Sequence, residues 1–176
     1  HLPRGDRHQA ISPGADVSQR SVVNLAASIH RRLLNEARAG GRPFNELLQH
    51  YAMKRFMARL ARSPHAERFV LKGGLLMDAW SASITRPTVD IDLLGYVINQ
   101  PATIESIIRD VCSTQVEPDG LVFSAEKGRA ERITEDAEYH GVRMRFEARL
   151  GSARVPMQVD VGFGDVVIPG VDTVSL

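Results

Sequence analysis

The chain has 176 residues, of which 43% are hydrophobic and 24% charged, a composition that supports a folded domain and excludes wholesale disorder. Its 22 basic and 21 acidic side chains leave a net charge of +1, so bulk charge gives no argument for a nucleic-acid partner. A single cysteine excludes an intramolecular disulfide framework and a zinc cluster built from cysteines. The charge is nevertheless uneven: residues 1–88 hold 14 basic and 6 acidic side chains, and residues 89–176 hold 8 and 15. This asymmetry predicts a surface for polyanions beside a carboxylate-rich site.

The sequence gives no sign of a membrane-bound protein. It contains no run of the roughly 18 apolar residues that a membrane-spanning helix needs, and its polar N-terminal residues do not form a signal peptide. We therefore expect a cytoplasmic protein with no membrane partner. In a reducing compartment, Cys112 is expected to pack as a small apolar residue.

The N-terminal part of the chain reads as an arm followed by helices. Residues 1–17 combine prolines and glycines without periodicity and are predicted to form a flexible arm. Residues 18–68 are predicted to form a helical segment packed on the core, with helices from Ser21 to Ala39 and from Pro43 to Arg62. One face of the second helix is basic, and we interpret it as an RNA-binding surface, with an ordinary solvated surface as the open alternative. Its members are Lys54, Arg55, Arg59 and Arg62.

Residues 69–176 alternate between strand and helix patterns and predict an α+β core. The predicted elements are a strand Phe69–Lys72, a helix from Leu75 to Trp80, a strand Val89–Leu94, a helix Ala102–Cys112, a strand Leu121–Ser124 and an antiparallel hairpin over 142–163. In the hairpin, Val142 to Leu150 and Val155 to Phe163 both alternate between apolar and polar residues, with Gly151-Ser152 at the turn. This alternation predicts a sheet with one buried face and one polar face.

Aspartates recur on the strands that carry this polar face. Because residues i and i+2 of a strand share a face, Asp90 and Asp92 project together while Val89, Ile91 and Leu93 face the core. Asp160 takes the same position in the second hairpin strand, so the three carboxylates converge if the two strands are neighbours. Clustered anions repel one another, and a divalent cation such as Mg²⁺ or Mn²⁺ removes that cost. The open alternative is that the aspartates are ordinary solvent-facing residues.

A second feature lies sixteen residues before Thr88. Gly73 and Gly74 stand between a strand and a helix, where successive amides can form a nest for phosphate oxygens. Lys72 adjoins them and could contact a phosphate, or be a surface residue of its strand. Thr88 would share the carboxylate face in a strand, which places it beside the same phosphate site.

These segments together resemble a known family. Residues 69–74 (FVLKGG), 86–93 (RPTVDIDL) and 158–165 (QVDVGFGD) are similar to segments of the AbiEii/AbiGii nucleotidyltransferase toxins. That family belongs to the DNA-polymerase-β-like superfamily and includes the MenT toxins. The resemblance covers about residues 69–165 and implies a mixed or antiparallel sheet flanked by helices.

The resemblance also implies roles for individual residues. Gly73 and Gly74 would bind the nucleotide phosphates, Asp90 and Asp92 would hold Mg²⁺, and Asp160 would be the third carboxylate. The implied reaction is transfer of a nucleotide from NTP to an RNA acceptor, the 3′ end of tRNA in characterised relatives, which blocks translation. A cognate antitoxin protein is the implied partner.

The sequence departs from the family at two places. Leu75-Leu76 follows the glycines where many relatives carry a small polar residue, and the sequence ends at Leu176, where family members continue into a basic helical region. We therefore expect the core over 69–176 to lack that region. Two further readings follow: a catalytically incomplete nucleotide-binding module, or a nucleotidyltransferase that modifies a protein or a small molecule.

Overall fold

The computed structural model of the chain describes residues 14–80, 89–136 and 139–164. Four helices occur in this part: α1 (Gly14–Gly40), α2 (Phe44–Arg62), α3 (Gly73–Trp80) and α4 (Pro101–Ser113). Five strands form a single sheet: β1 (Phe69–Lys72), β2 (Ile91–Gly95), β3 (Leu121–Asp136), β4 (Tyr139–Leu150) and β5 (Ala153–Gly162). The predicted α+β class is confirmed.

The sheet has the order β1-β2-β5-β4-β3. β2 and β5 run parallel, and the other three neighbouring pairs are antiparallel, so the sheet is mixed. The hairpin of β4 and β5 turns at Gly151-Ser152 as predicted, and its register aligns Val142 with Val161. Because strand β5 lies between β2 and β4, it joins the two halves of the sheet and brings Asp160 beside β2.

One face of the sheet is covered by helices and forms the core. Helices α1, α2 and α4 contribute buried side chains to the same apolar cluster as the strands. At its centre, the ring of Phe56 on α2 lies 6.0 Å from that of Phe123 and 5.6 Å from that of Phe146, measured between centroids. Such edge-on and tilted aromatic contacts add to the burial of apolar area. The alternation of β4 and β5 then turns their polar side chains to the opposite face.

The structure differs from the predicted elements at the start of α1 and in the length of β3. Helix α1 begins at Gly14, inside the segment predicted as a flexible arm. Strand β3 continues to Asp136 instead of ending at Ser124, because it pairs with β4 along its whole length. The register of this pairing is irregular between Ser124 and Arg129. That irregularity interrupts the period-2 pattern, which hides the second half of the strand from a reading of the sequence.

Val89 also departs from its predicted position. Its side chain is 64% exposed, so the expectation that it faces the core is wrong. Pairing of β2 with β5 begins at Ile91 and Val159, and residue 89 therefore precedes the strand.

Candidate active site

Three carboxylates meet where β2 and β5 lie side by side. Asp92 and Asp160 are directly aligned in the parallel register, and Asp90 lies at a bend immediately before β2. One oxygen from each of the three carboxylates lies within 4.8 Å of the others. The predicted convergence of Asp90, Asp92 and Asp160 is thus confirmed. Carboxylate oxygens at this spacing are a donor set that suits a hard divalent cation.

The end of strand β1 brings Lys72 and Gly73 to the same place. Lys72 is aligned with Asp92 across the antiparallel pair of β1 and β2. Gly73 follows with φ of +67°, in the left-handed region, and begins α3. A Cβ on Gly73 would lie 2.8 Å from Cγ of Asp92, so this position needs glycine both for its backbone and for its closeness to the carboxylate.

A cavity of about 310 Å³ lies over these groups. Its lining includes Lys72, Gly73, Asp92 and Asp160, together with Ile133 from the long strand β3. This volume is at the lower end of the range for pockets that bind small molecules. Carboxylates, a lysine and a glycine turn therefore share one concave site.

A row of charged residues crosses all five strands at this level. The row follows from the strand register, because each of its members is paired directly with a member on the neighbouring strand. From β1 across to β3 the row consists of Lys72, Asp92, Asp160, Arg143 and Glu131. Directly paired residues have side chains on the same face of a sheet, so the row lies on the polar face.

Arg143 is a site residue that the sequence did not reveal. Its Nε donates to Oδ1 of Asp160 at 2.8 Å and its Nη2 to Oδ2 at 2.6 Å, a two-pronged contact. Gln158 adds a hydrogen bond from Nε2 to Oδ2 of Asp160 at 3.3 Å. The guanidinium supplies positive charge to a cluster of three anions, which offsets their mutual repulsion. The alternation along 142–150 predicts that the side chain of Arg143 lies on the polar face of the sheet. Only the fold sets the register that aligns Arg143 with Asp160.

Gln49 on α2 is a second residue that the sequence did not reveal. Its side-chain amide donates to the carbonyl oxygen of Pro156 at 2.9 Å and to that of Val89 at 3.3 Å. Both carbonyls lie just before the point where β2 and β5 begin to pair at Ile91 and Val159. The amide thus links the two segments that lead to the carboxylates and holds the peptide bond between Val89 and Asp90.

The predicted basic face of α2 requires a correction. Arg59 is only 7% exposed, and its guanidinium binds both carboxylate oxygens of Asp119 at 2.5 and 3.1 Å. Arg55 donates to the same carboxylate at 2.9 Å. Arg59 therefore does not lie on the predicted open surface, because Asp119 in the loop before β3 binds it against the core. An RNA contact by the half-buried Arg55 stays a prediction. Lys54 is half-buried and Arg62 is exposed, and an RNA contact by these two stays a prediction.

The electrostatics of Asp119 agree with this structural role. Burial raises the pKa of its carboxyl, but the hydrogen bonds from Arg59 and Arg55 outweigh burial and hold the pKa below its ordinary value. Its Oδ1 also accepts the backbone N–H of Leu121 at 3.1 Å, which fixes the start of β3. Through Asp119 these contacts connect Arg55 and Arg59 of α2 to the start of β3, and none reaches the carboxylate cluster.

Two further expectations can be placed against the structure. Thr88, predicted to contact the nucleotide, lies outside the described residues. Gly74 lies in the first turn of α3, half-buried, directly after Gly73. Among the helices in the described ranges, none has the length and apolar character needed to cross a membrane.

Comparison with known proteins adds the family. Residues 55–176 match the sequence model of a family described as nucleotidyl transferase AbiEii toxin, type IV toxin–antitoxin system. The matched range contains all five strands and each of the three clustered aspartates. No curated protein and no solved structure matches the chain.

Proposed function

The chain belongs to the AbiEii family of nucleotidyltransferase toxins from type IV toxin–antitoxin systems, and on this basis we propose that it transfers a nucleotide from an NTP to the 3′ end of an RNA, a tRNA. The family implies an NTP substrate and a cognate antitoxin. The observation that carries the proposal is the convergence of three carboxylate oxygens within 4.8 Å, beside a glycine turn.

In this proposal Asp90, Asp92 and Asp160 hold a divalent cation, Mg²⁺ or Mn²⁺. The donor set fits, since all three ligands are carboxylates and the cavity above them is open to a triphosphate. When bound, such an ion neutralises the phosphate oxygens and the charge that develops during displacement at phosphorus.

The nucleotide is held by the residues at the end of β1. Lys72 offers an ammonium group on the polar face beside Asp92, and Gly73 and Gly74 let the chain approach the phosphates closely. The N–H groups of the first turn of α3, which begins at Gly73, would favour negative charge there. Thr88, which precedes Asp90 by two residues, is proposed to join this nucleotide site.

The reaction is an in-line displacement at the α-phosphorus. The bond from the 3′ oxygen of the acceptor to phosphorus forms, the bond to the leaving pyrophosphate breaks, and the hydroxyl proton moves to a carboxylate. Asp160 is the proposed acceptor of that proton, the role that the resemblance to the family implies for the third carboxylate. Arg143 then keeps the carboxylate oriented, and Gln49 keeps the segments before Asp90 and Asp160 together.

Transfer of radioactive label tests the proposal. The protein is incubated with each NTP labelled at the α-phosphate, with Mg²⁺, and with total RNA or total cell protein as acceptor. The expected result is label on RNA, lost in Asp92→Asn and retained in the surface variant Arg38→Gln. Label on protein or on a small molecule would favour a nucleotidyltransferase that modifies a protein or a small molecule instead of RNA. NTP binding without transfer of label would indicate a catalytically incomplete module.

A further inference from the structure

The polar face of the sheet continues well beyond the carboxylate cluster and is rich in arginine. On this face β4 contributes Arg143, Arg145, Glu147 and Arg149, and its buried neighbours alternate with them. The side chains of Arg145, Arg149 and Arg154 are 55%, 46% and 70% exposed, so no described helix covers this part of the sheet. We call Arg129, Arg145, Arg149 and Arg154 the arginine face.

The arginine face contains two pairs of like charges placed directly opposite each other. Arg129 on β3 is aligned with Arg145 on β4, and Arg149 on β4 is aligned with Arg154 on β5. Like charges at directly opposed positions of neighbouring strands destabilise a sheet. Two such pairs on one face, on the same three strands, are an unfavourable arrangement that an external anion would relieve.

The acidic residues on this face do not balance the arginines. Glu131 contacts Arg145 at 2.5 Å, and Glu147 is shared between Arg149 at 2.7 Å and Arg154 at 4.0 Å. The hydrogen bond from Arg149, together with the charges of Arg149, Arg154 and Lys127, lowers the pKa of Glu147. Positive charge therefore prevails at the far end of the face, even with its glutamates ionised.

The face leads from that far end to the carboxylate cluster. Along β5, the six residue steps from Arg154 to Asp160 span about 20 Å at ~3.4 Å per step. At ~3.4 Å of rise per nucleotide in a stacked strand, this length corresponds to about six phosphates. Arg145 lies between the two ends, hydrogen-bonded through Nε to Gln158 at 3.2 Å.

We propose that the arginine face binds the phosphate backbone of the RNA acceptor and directs its 3′ end to Asp90, Asp92 and Asp160. The proposal rests on the proposed function in one respect, namely that the polyanion is the RNA acceptor. A guanidinium presents a planar fork that matches phosphate oxygens, and the space between two opposed arginines suits an anion. The RNA thus lies on the sheet, while Arg55 and Arg59 of α2 are bound to Asp119.

Direct binding measurements test this surface without any need for catalysis. The probe is a fluorescein-labelled RNA hairpin with a single-stranded 3′ end, titrated with protein at several salt concentrations without NTP. The double variants are Arg149→Gln/Arg154→Gln and Arg129→Gln/Arg145→Gln. Arg31→Gln/Arg38→Gln on α1 is the matched control, because it removes the same charge from exposed residues outside the arginine face.

Each sheet variant is expected to raise the Kd at moderate salt about tenfold or more and to lower the slope of log K against log salt by about 1 for each arginine removed. The control is expected to keep the Kd and the slope of the wild type. In melting experiments without RNA, the sheet variants should be as stable as the wild type or more stable, because like-charge repulsion is relieved.

Several results would overturn the proposal. Unchanged affinity and slope in both sheet variants, or a loss confined to the α1 control, would remove the arginine face from RNA binding. A loss of RNA binding accompanied by a lower melting temperature would assign the arginines a structural role. Loss of binding to a polyglutamate probe with intact RNA binding would assign the face to an acidic protein partner. If RNA binds as expected but no label is transferred from NTP, the proposed function fails and the binding surface stands.

Discussion

Alanine substitutions at Gly73 and Gly41 distinguish the effect of backbone strain on stability from the effect of an added side chain on the active site. Both residues are in the left-handed region, with φ of +67° and +64°. Gly73 adjoins the carboxylate cluster, whereas Gly41 follows the end of α1 and has nothing within 4 Å of the position of a Cβ. Alanine at either position costs about 1–2 kcal/mol of stability, because a Cβ disfavours this backbone conformation.

At Gly73 the added methyl group also meets Asp92. It would lie 2.8 Å from Cγ and 3.0 Å from Cβ of that side chain, whereas carbon atoms in contact prefer about 3.5–4.0 Å. Asp92 must therefore shift by about 1 Å, and a misplacement of that size costs about a hundredfold in rate. This corresponds to about 2.7 kcal/mol in the activation barrier.

Two assays on each variant test this reasoning. Urea denaturation is expected to give losses in the free energy of unfolding that agree for the two variants to within about 1 kcal/mol. Nucleotide transfer at saturating NTP is expected to fall about a hundredfold in Gly73→Ala and to stay near the wild-type rate in Gly41→Ala. Equal activity of the two variants would refute the claim that closeness of Gly73 to Asp92 matters for function.

Three further predictions follow from the charges and the core. Asp119→Ala leaves the buried Arg59 without its carboxylate and should lower the free energy of unfolding by about 3–5 kcal/mol in urea titrations. Because the folded-state pKa of Asp119 is lowered, the wild type should lose this stabilisation only as the pH falls through and below the ordinary value of 3.8. A loss of stability that begins near neutral pH would contradict this. Asp160→Asn breaks the two-pronged contact with Arg143 on the neighbouring strand and should destabilise the metal-free protein by about 1–2 kcal/mol. Asp90→Asn should leave the stability of the metal-free protein unchanged or higher. Equal melting temperatures of the two variants would count against this. Burial raises the pKa of Cys112 to about 12, so iodoacetamide at neutral pH should label the folded protein far more slowly than the urea-unfolded protein, and equal rates would show that the thiol is accessible.

The sequence predicted those features that depend on local pattern. Alternation over 142–163 identified the hairpin and its buried face, and the Asp90-Ile91-Asp92 spacing identified two of the three carboxylates. Asp160 approaches these two carboxylates only if its strand lies next to β2, and the observed parallel pair of β2 and β5 meets this condition. The inference for the hairpin succeeds because a strand has a period of two, whatever the rest of the chain does. Asp90 joins the cluster although it lies at a bend just before β2.

The features that were missed depend on register and on long-range partners. Nothing local to Arg143 shows that it lies opposite Asp160, and nothing local to Gln49 shows that it bridges two segments about 40 and 107 residues away. Arg59 looked like a surface residue because its partner, Asp119, lies 60 positions along the chain. A buried ion pair and a solvated charge have the same sequence pattern on a helix.

Anomalous diffraction from a manganese-soaked crystal tests the central claim most directly, because it locates the cation without relying on activity. The crystal is grown with Mn²⁺ and a non-hydrolysable NTP analogue, and Asp92→Asn is treated identically. The account predicts an anomalous peak within coordination distance of oxygens from Asp90, Asp92 and Asp160, with the triphosphate beside Gly73, and a much weaker peak in the variant. A peak elsewhere, or no peak while nucleotide is bound, would contradict the assignment of these carboxylates as the metal site of a nucleotidyltransferase.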